Sequence, residues 1–167
     1  VCFLDDPQRR FDRVLSDHTS HVFLSALLLG SRAFVQRILS DPRVRVISCW
    51  ATLDIALKDA FFIGRIDLLD LLIDSAAVSV GASPARLVLR ALDCALTFSK
   101  WTARHAARAC DVLLGDERLD LSSADAIEVL VQNAKQEPWQ MMMALVLDHP
   151  RMPPTTRACV LAYAGKN

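Results

Sequence analysis

The sequence predicts an all-α fold, a solenoid of stacked antiparallel helix pairs with about four degenerate repeats and half-repeats at its ends. Three observations predict it. First, one phrase recurs: Ile38-Leu39-Ser40-Asp41-Pro42-Arg43-Val44 returns as Leu72-Ile73-Asp74-Ser75, Leu114-Gly115-Asp116-Glu117-Arg118 and Val146-Leu147-Asp148-His149-Pro150-Arg151, with a truncated echo at Leu4-Asp5-Asp6-Pro7. Its aspartates fall at 6, 41, 74, 116 and 148, in steps of 35, 33, 42 and 32 residues. A period of that size marks a row of supersecondary units rather than one wrapped core. Second, the apolar residues between the phrases recur at helical spacings of three and four. Third, the only strand-like alternation is the short stretch Arg43-Val44-Arg45-Val46.

Taken in order, residues 1–17 read as the end of an incomplete unit, with Asp6 before Pro7 as a helix terminator. Val22 to Leu29 is a short apolar helix broken by Gly30. Ala33 to Ser40 follows with Phe34, Val35, Ile38 and Leu39 inward, Asp41-Pro42 ends it, and 43–46 projects as an extended finger. Residues 47–73 repeat the plan: a helix from about Ala51 to Ile63 stops at Gly64, and a second runs from Arg65 to Asp74. Asp67, Asp70 and Asp74 form a narrow solvent stripe on that otherwise apolar rod, so neighbouring units must cover its flanks.

Ala76 to Ser83 reads as a connection, and Pro84 suits the first turn of the next helix. That helix, Arg86 to Phe98, is expected to be longer than its counterparts. Ser99 to Thr102 links it to Ala103–Leu114, and the 42-residue step places an insertion here. Ser122, with Asp125 three residues on, resembles a capping box for the helix Ala124–Ala134. Pro138 opens a helix from Trp139 to Leu147, and Thr155 or Thr156 caps a last one, Arg157 to Ala164, with Gly165 beyond it.

The second unit, Ala60-Phe61-Phe62-Ile63-Gly64-Arg65-Ile66-Asp67-Leu68-Leu69-Asp70-Leu71-Leu72-Ile73, resembles the ankyrin repeat A-A-x-x-G-H-x-x-V-V-x-x-L-L-L, with Arg65 in place of the usual His. The first fits as Ala26-Leu27-Leu28-Leu29-Gly30-Ser31 through Ile38-Leu39, and its D-P-R-V ending is similar to a variant common in divergent ankyrin arrays. The family's T-P-L-H opening is missing from every unit, the third carries the insertion, and the fourth has Pro138 where the Gly belongs. The resemblance spans about residues 18–152. It implies a curved stack of helix pairs with projecting fingers, and a role in binding other proteins.

Composition bounds the function. The chain is read as a single domain over residues 1–167 and, since it begins at Val1, as a piece of a longer protein. Nineteen basic residues balance nineteen acidic ones, which weighs against nucleic acid as a partner. No apolar run approaches the roughly 18–20 residues of a membrane span. The five cysteines are odd in number and scattered among apolar neighbours, so they read as buried thiols in a reducing compartment. The expectation is therefore an intracellular, cytoplasmic, monomeric domain with no cofactor.

No catalytic constellation stands out. His18 and His21 share a helix spacing, but no CxxC, HExxH or acidic partner accompanies them. Asp17-His18 and Asp148-His149 are adjacent pairs whose side chains do not face each other. A small hydrolase or metal enzyme would need two of His18, His21, His105 and His149 to converge with a cysteine or carboxylate in one cleft.

Two sets of residues are candidates for binding a protein partner. Arg43, Arg118 and Arg151 occupy one register after the helix pairs, with Arg45 on the same finger as Arg43. They line one edge as a clamp for acidic groups, or else each bonds the neighbouring unit's connection or its own Asp. The second set is misplaced apolar surface. Leu28, Leu29, Phe62 and Ile63 hold positions that are polar in the ankyrin pattern, and Leu24 lies one turn earlier. They form a concave apolar patch for a partner, or a tighter stack buries them. Met141-Met142-Met143 with Trp139 reads as core filler, and Met141 and Ala144 replace the aspartates of the solvent stripe.

Overall fold

A computed structural model describes residues 25–29, 31–41, 47, 49–97, 103–135 and 140–164. Among them all regular structure is helical and there is no strand. A helical segment over 25–29 precedes α1 (Arg32–Ser40) and α2 (Trp50–Ile63). A 3₁₀ turn at Ile66–Leu68 leads into α3 (Leu69–Val80). Then come α4 (Pro84–Thr97), α5 (Ala103–Gly115), α6 (Ala124–Ala134), α7 (Gln140–Leu147) and α8 (Pro154–Ala164). The finger at 43–46, Gly30 and the link at Ser99–Thr102 lie outside the described residues, as do Trp139 and Gly165.

Local chemistry sets the helix ends. Ser31 caps α1 by accepting from the Phe34 amide at 3.3 Å, and Asp41, the residue before a proline, turns extended. Thr52 reaches back to the Cys49 amide at 3.1 Å to open α2. Gly64 closes α2 in the left-handed region at φ 80°, while the Arg65 amide reaches the Ala60 carbonyl at 2.8 Å. Gly81, at φ 69°, does the same for α3.

Four expectations change. α3 runs through the segment expected as a connection, because Ala76 to Val80 contains no breaker before Gly81. α4 begins at Pro84, two residues before the expected start at Arg86, and its expected end at Phe98 lies outside the described residues. Ser123, not Ser122, caps α6 by accepting from the Ala126 amide, while Ser122 is drawn back to the Asp120 carboxylate at 2.6 Å. Thr155 and Thr156 lie inside α8, and the buried Thr156 hydroxyl donates to the Leu121 carbonyl at 2.9 Å instead of capping.

Packing follows a regular order. α2 lies on α4, α4 on α6 and α6 on α8, forming one layer of helices. α1 lies on α3 and α5 on α7 in the other, while α2 with α3, and α4 with α5, join the layers. The core between them is continuous and mostly aliphatic: Leu53, Leu57, Leu72, Leu92, Leu113 and Leu130 are all buried, with Phe61 among them. Met142 and Val146 belong to it, as the core-filler reading of the Met run expects, while Ala144 is exposed.

The polar ties between helices span about one unit each. Arg32 reaches Asp70 (2.9 Å to Oδ1) and the Asp67 carbonyl. Arg65 donates to the Leu27 carbonyl at 2.7 Å and to Asp67. Arg90 holds Asp54 at 2.6 Å and Asp93 at 3.0 Å, and the buried amide of Asn133 donates to Asp93 at 2.9 Å. The aspartate stripe is thus not bare solvent surface; arginines from neighbouring units take Asp70 and Asp74.

These ties give stability an acid limit. Hydrogen bonds from Arg65, Arg32 and Arg118 hold the carboxyls of Asp67, Asp70 and Asp116, respectively, below the usual carboxylate range. A depressed folded-state value means the stabilisation is complete above the unfolded-state value, about 3.9, and is lost as pH falls through the folded one. Thermal melts should therefore hold steady from neutral pH to about 4 and fall below it. Arg118→Met should melt lower at neutral pH and decline less steeply in acid, and an unchanged slope would remove Asp116 from this account.

Candidate functional site

Three helix ends come together on one side of the molecule. The guanidinium of Arg65, in the turn after α2, binds the Leu27 carbonyl and so sets the end of the 25–29 segment beside the end of α2. From the next unit, His105 of α5 donates through Nδ1 to the Phe61 carbonyl at 3.1 Å, with its ring against Gly64. On this frame Leu28 is 53% exposed, Leu29 89% and Phe62 67%. Ile63 departs from the expectation: it is half-buried and packs on the core, because its side of α2 turns towards the interior. Leu24, Arg43 and Arg45 lie outside the described residues.

Arg118 and Arg151, the described members of the arginine register, act as clips between units rather than as an open cationic edge. Arg118 binds Asp116 of its own turn at 2.7 Å and Asp74 of the preceding unit at 2.7 Å. Arg151 donates to the carbonyls of Leu114 (3.0 Å), Asp116 and Leu119 (3.2 Å), closing the preceding unit's connection. This is the second of the two roles considered from sequence. Carbonyls at the end of α5 would otherwise have no intrahelical donor, and a guanidinium fork matches their geometry.

The second feature is a groove of about 550 Å³ across the N-terminal halves of α2, α4 and α6. Trp50, Leu89 and Val129 form its apolar walls. Arg86 lies over the Trp50 ring, 5.4 Å from its centre. Arg90 and Asp93 are tied to each other and to Asp54 and Asn133. Asp125 and Glu128 line the α6 side and are exposed, and among the described residues neither has an ion-pair partner. Sequence reasoning missed this groove. Its one sequence signal was the repeated placement of a large or charged side chain in the first turns of three successive inner helices.

The catalytic alternatives find no support in the placement of the described residues. His105 and His149 sit in separate turns, the latter accepting from the Arg151 amide at 3.3 Å. His18 and His21 lie outside the described residues. Among the described residues no three His, Cys, Asp or Glu side chains cluster to hold a metal. Burial pushes the Cys94 thiol up to about 12, with the Asp54 carboxylate adding to it, and burial alone does the same to Cys110. Neither is a thiolate at neutral pH. Cys49 and Cys159 correct the expectation of burial, since both are exposed.

No helix among the described residues is long and apolar enough to cross a membrane. No family model matches the chain, and no curated protein or solved structure matches it either.

Proposed function

We propose that this chain is a non-catalytic protein-interaction module, a row of divergent ankyrin-type helix pairs that holds a protein partner on its inner-helix face. The observation that carries this is the exposure of Leu28, Leu29 and Phe62 on two helix ends that the Arg65–Leu27 hydrogen bond ties together. Large apolar side chains clustered on rigid helix ends are the usual anchor of a protein interface. The row itself is supported by the packing order, in which each inner helix touches the next, and by ties that join residues 32 to 44 apart. The thiols of Cys94, Cys110 and Cys159 are in keeping with a reducing, intracellular setting, and the module is read as monomeric and cytoplasmic.

The test is a double substitution, Leu28→Asp with Phe62→Asp, in affinity capture from a lysate followed by binding to the recovered partner. Capture should be lost while the far-UV circular dichroism stays unchanged, because both side chains already face solvent. Unfolding of the variant would assign the two residues to the core instead. A second reading, a structural segment of a longer repeat protein with no partner of its own, is favoured by α8, which leaves Leu161 and Tyr163 half-exposed. Failure of the unsubstituted chain to capture any protein would support that reading, whereas retained capture by the double variant would move the partner's site away from Leu28 and Phe62.

A further inference from the structure

Carboxylates between helices are tied to arginines across the described residues, but that of Asp59 in α2 is not. Arg90 takes Asp54 and Asp93, Arg32 takes Asp70, and Arg118 takes Asp74 and Asp116. Asp59 is half-buried too, yet among the described residues nothing bonds its carboxyl. Burial holds that carboxyl above its usual range, and Lys58, next in the chain, offsets this only in part and forms no ion pair with it.

Ile55, Asp59 and Phe62 stand at i, i+4 and i+7 of one helix, within about 60° of one another around its axis at 100° per residue. Ile55 and Phe62 are both exposed. Asp54, about 140° away from Asp59 on the same helix, is the carboxylate that faces α4 and meets Arg90. Asp59 therefore stands on a different side of α2, between two large apolar side chains that face solvent. Phe62 is also one of the apolar residues on which the interaction reading rests.

A partner seated on both Ile55 and Phe62 spans about 10 Å of the helix and passes over Asp59 on the way. It removes the water that now solvates the open side of the carboxylate. A wholly apolar or acidic covering surface would leave that charge buried and unpaired, which is strongly unfavourable. A guanidinium or ammonium would instead complete it, with a charge-assisted hydrogen bond in surroundings already partly dehydrated. One residue thus rejects the wrong cover and pairs with the right one.

Resting on the interaction reading above, we propose that the partner's segment on α2 carries a lysine or arginine that pairs with Asp59, flanked by large apolar side chains that cover Ile55 and Phe62. The probe is a display library of random dodecapeptides selected on the immobilised 167-residue chain. Recovered peptides should carry a Lys or Arg between large apolar residues, and synthetic copies should bind in fluorescence anisotropy.

Citrulline in place of that cation, or Asp59→Asn in the chain, should each weaken binding about fivefold or more, and the two together should cost no more than either alone. Asp125→Asn, which removes the same charge from α6, should leave affinity within about twofold. Asp59→Asn should melt no lower than the unsubstituted chain at neutral pH, because burial disfavours the charge that it removes. Peptides with no enriched cation, binding indifferent to Asp59→Asn, a library that yields nothing, or a lower melting temperature of Asp59→Asn would each overturn the basic anchor. The interaction reading is judged apart from it: loss of partner capture in Leu28→Asp/Phe62→Asp keeps that reading when the anchor falls. If the unsubstituted chain captures no protein and the library yields nothing, both fall.

Discussion

Leu92→Ala, in the middle of α4, should cost about 3 kcal/mol of stability, the order found for a fully buried leucine cut back to its β-carbon. Leu92 is completely buried in the continuous core, and α4 is the helix most embedded in it, packing on α2, α3, α5 and α6. The more informative readout is where the loss is felt. In a row of layers coupled only to their neighbours, destabilisation stays near its source. Native-state hydrogen exchange should speed up roughly a hundredfold in α4, and strongly in α2 and α6, as about 3 kcal/mol requires. Exchange in α1 and α8, whose main packing is on α3 and α6 rather than on α4, should change by less than about threefold. Equal acceleration in every helix would mean one cooperative unit, and would remove the physical basis for treating the chain as a repeat array.

What the sequence disclosed was whatever repeats or breaks a helix locally. Gly64 announces its turn because only glycine enters the left-handed region cheaply, and Pro84 announces a first turn because it needs no amide donor. The near-apolar face of α3 announced covered flanks, and Leu72 and Ile73 are indeed fully enclosed. Misreadings arose where two neighbouring residues were chemically equivalent. Ser122 and Ser123 can each cap a helix, and the choice falls to Asp120, whose carboxylate takes the Ser122 hydroxyl. The Arg90–Asp54–Asp93–Asn133 network was illegible for another reason. Its members are 36 and 40 residues apart on three successive helices of one layer, and which charge meets which depends on a register of a few ångströms that periodicity does not specify. The groove was hidden in the same way, since Trp50, Arg86 and Glu128 mean little until three helices are set side by side. Exposure of Phe62 but not of Ile63 is a rotation of one residue about the helix axis, finer than a family pattern resolves.

Gly64→Ala should destabilise the chain by about 2–3 kcal/mol, from two separable causes. The backbone at Gly64 has φ 80°, where any residue with a β-carbon loses about 1–2 kcal/mol. An added β-carbon would also lie 2.8 Å from Cε1 and Nε2 of His105, closer than atoms tolerate. That imidazole is held by its bond to the Phe61 carbonyl, so moving it gives up a contact worth about 1 kcal/mol. Gly81→Ala is the internal control. Its φ of 69° imposes the same conformational cost, but nothing stands within 4 Å of the new carbon, so about 1 kcal/mol is expected. The double variant Gly64→Ala/His105→Ala then isolates the contact by a thermodynamic cycle, and the coupling should be about 1 kcal/mol. Because His105 belongs to the unit after Gly64, 44 residues beyond the Phe61 carbonyl it binds, that coupling measures one interlayer contact directly. Equal costs at Gly64 and Gly81, with no coupling to His105, would show that the two units do not press together there, and the braced frame under Phe62 would lose its support.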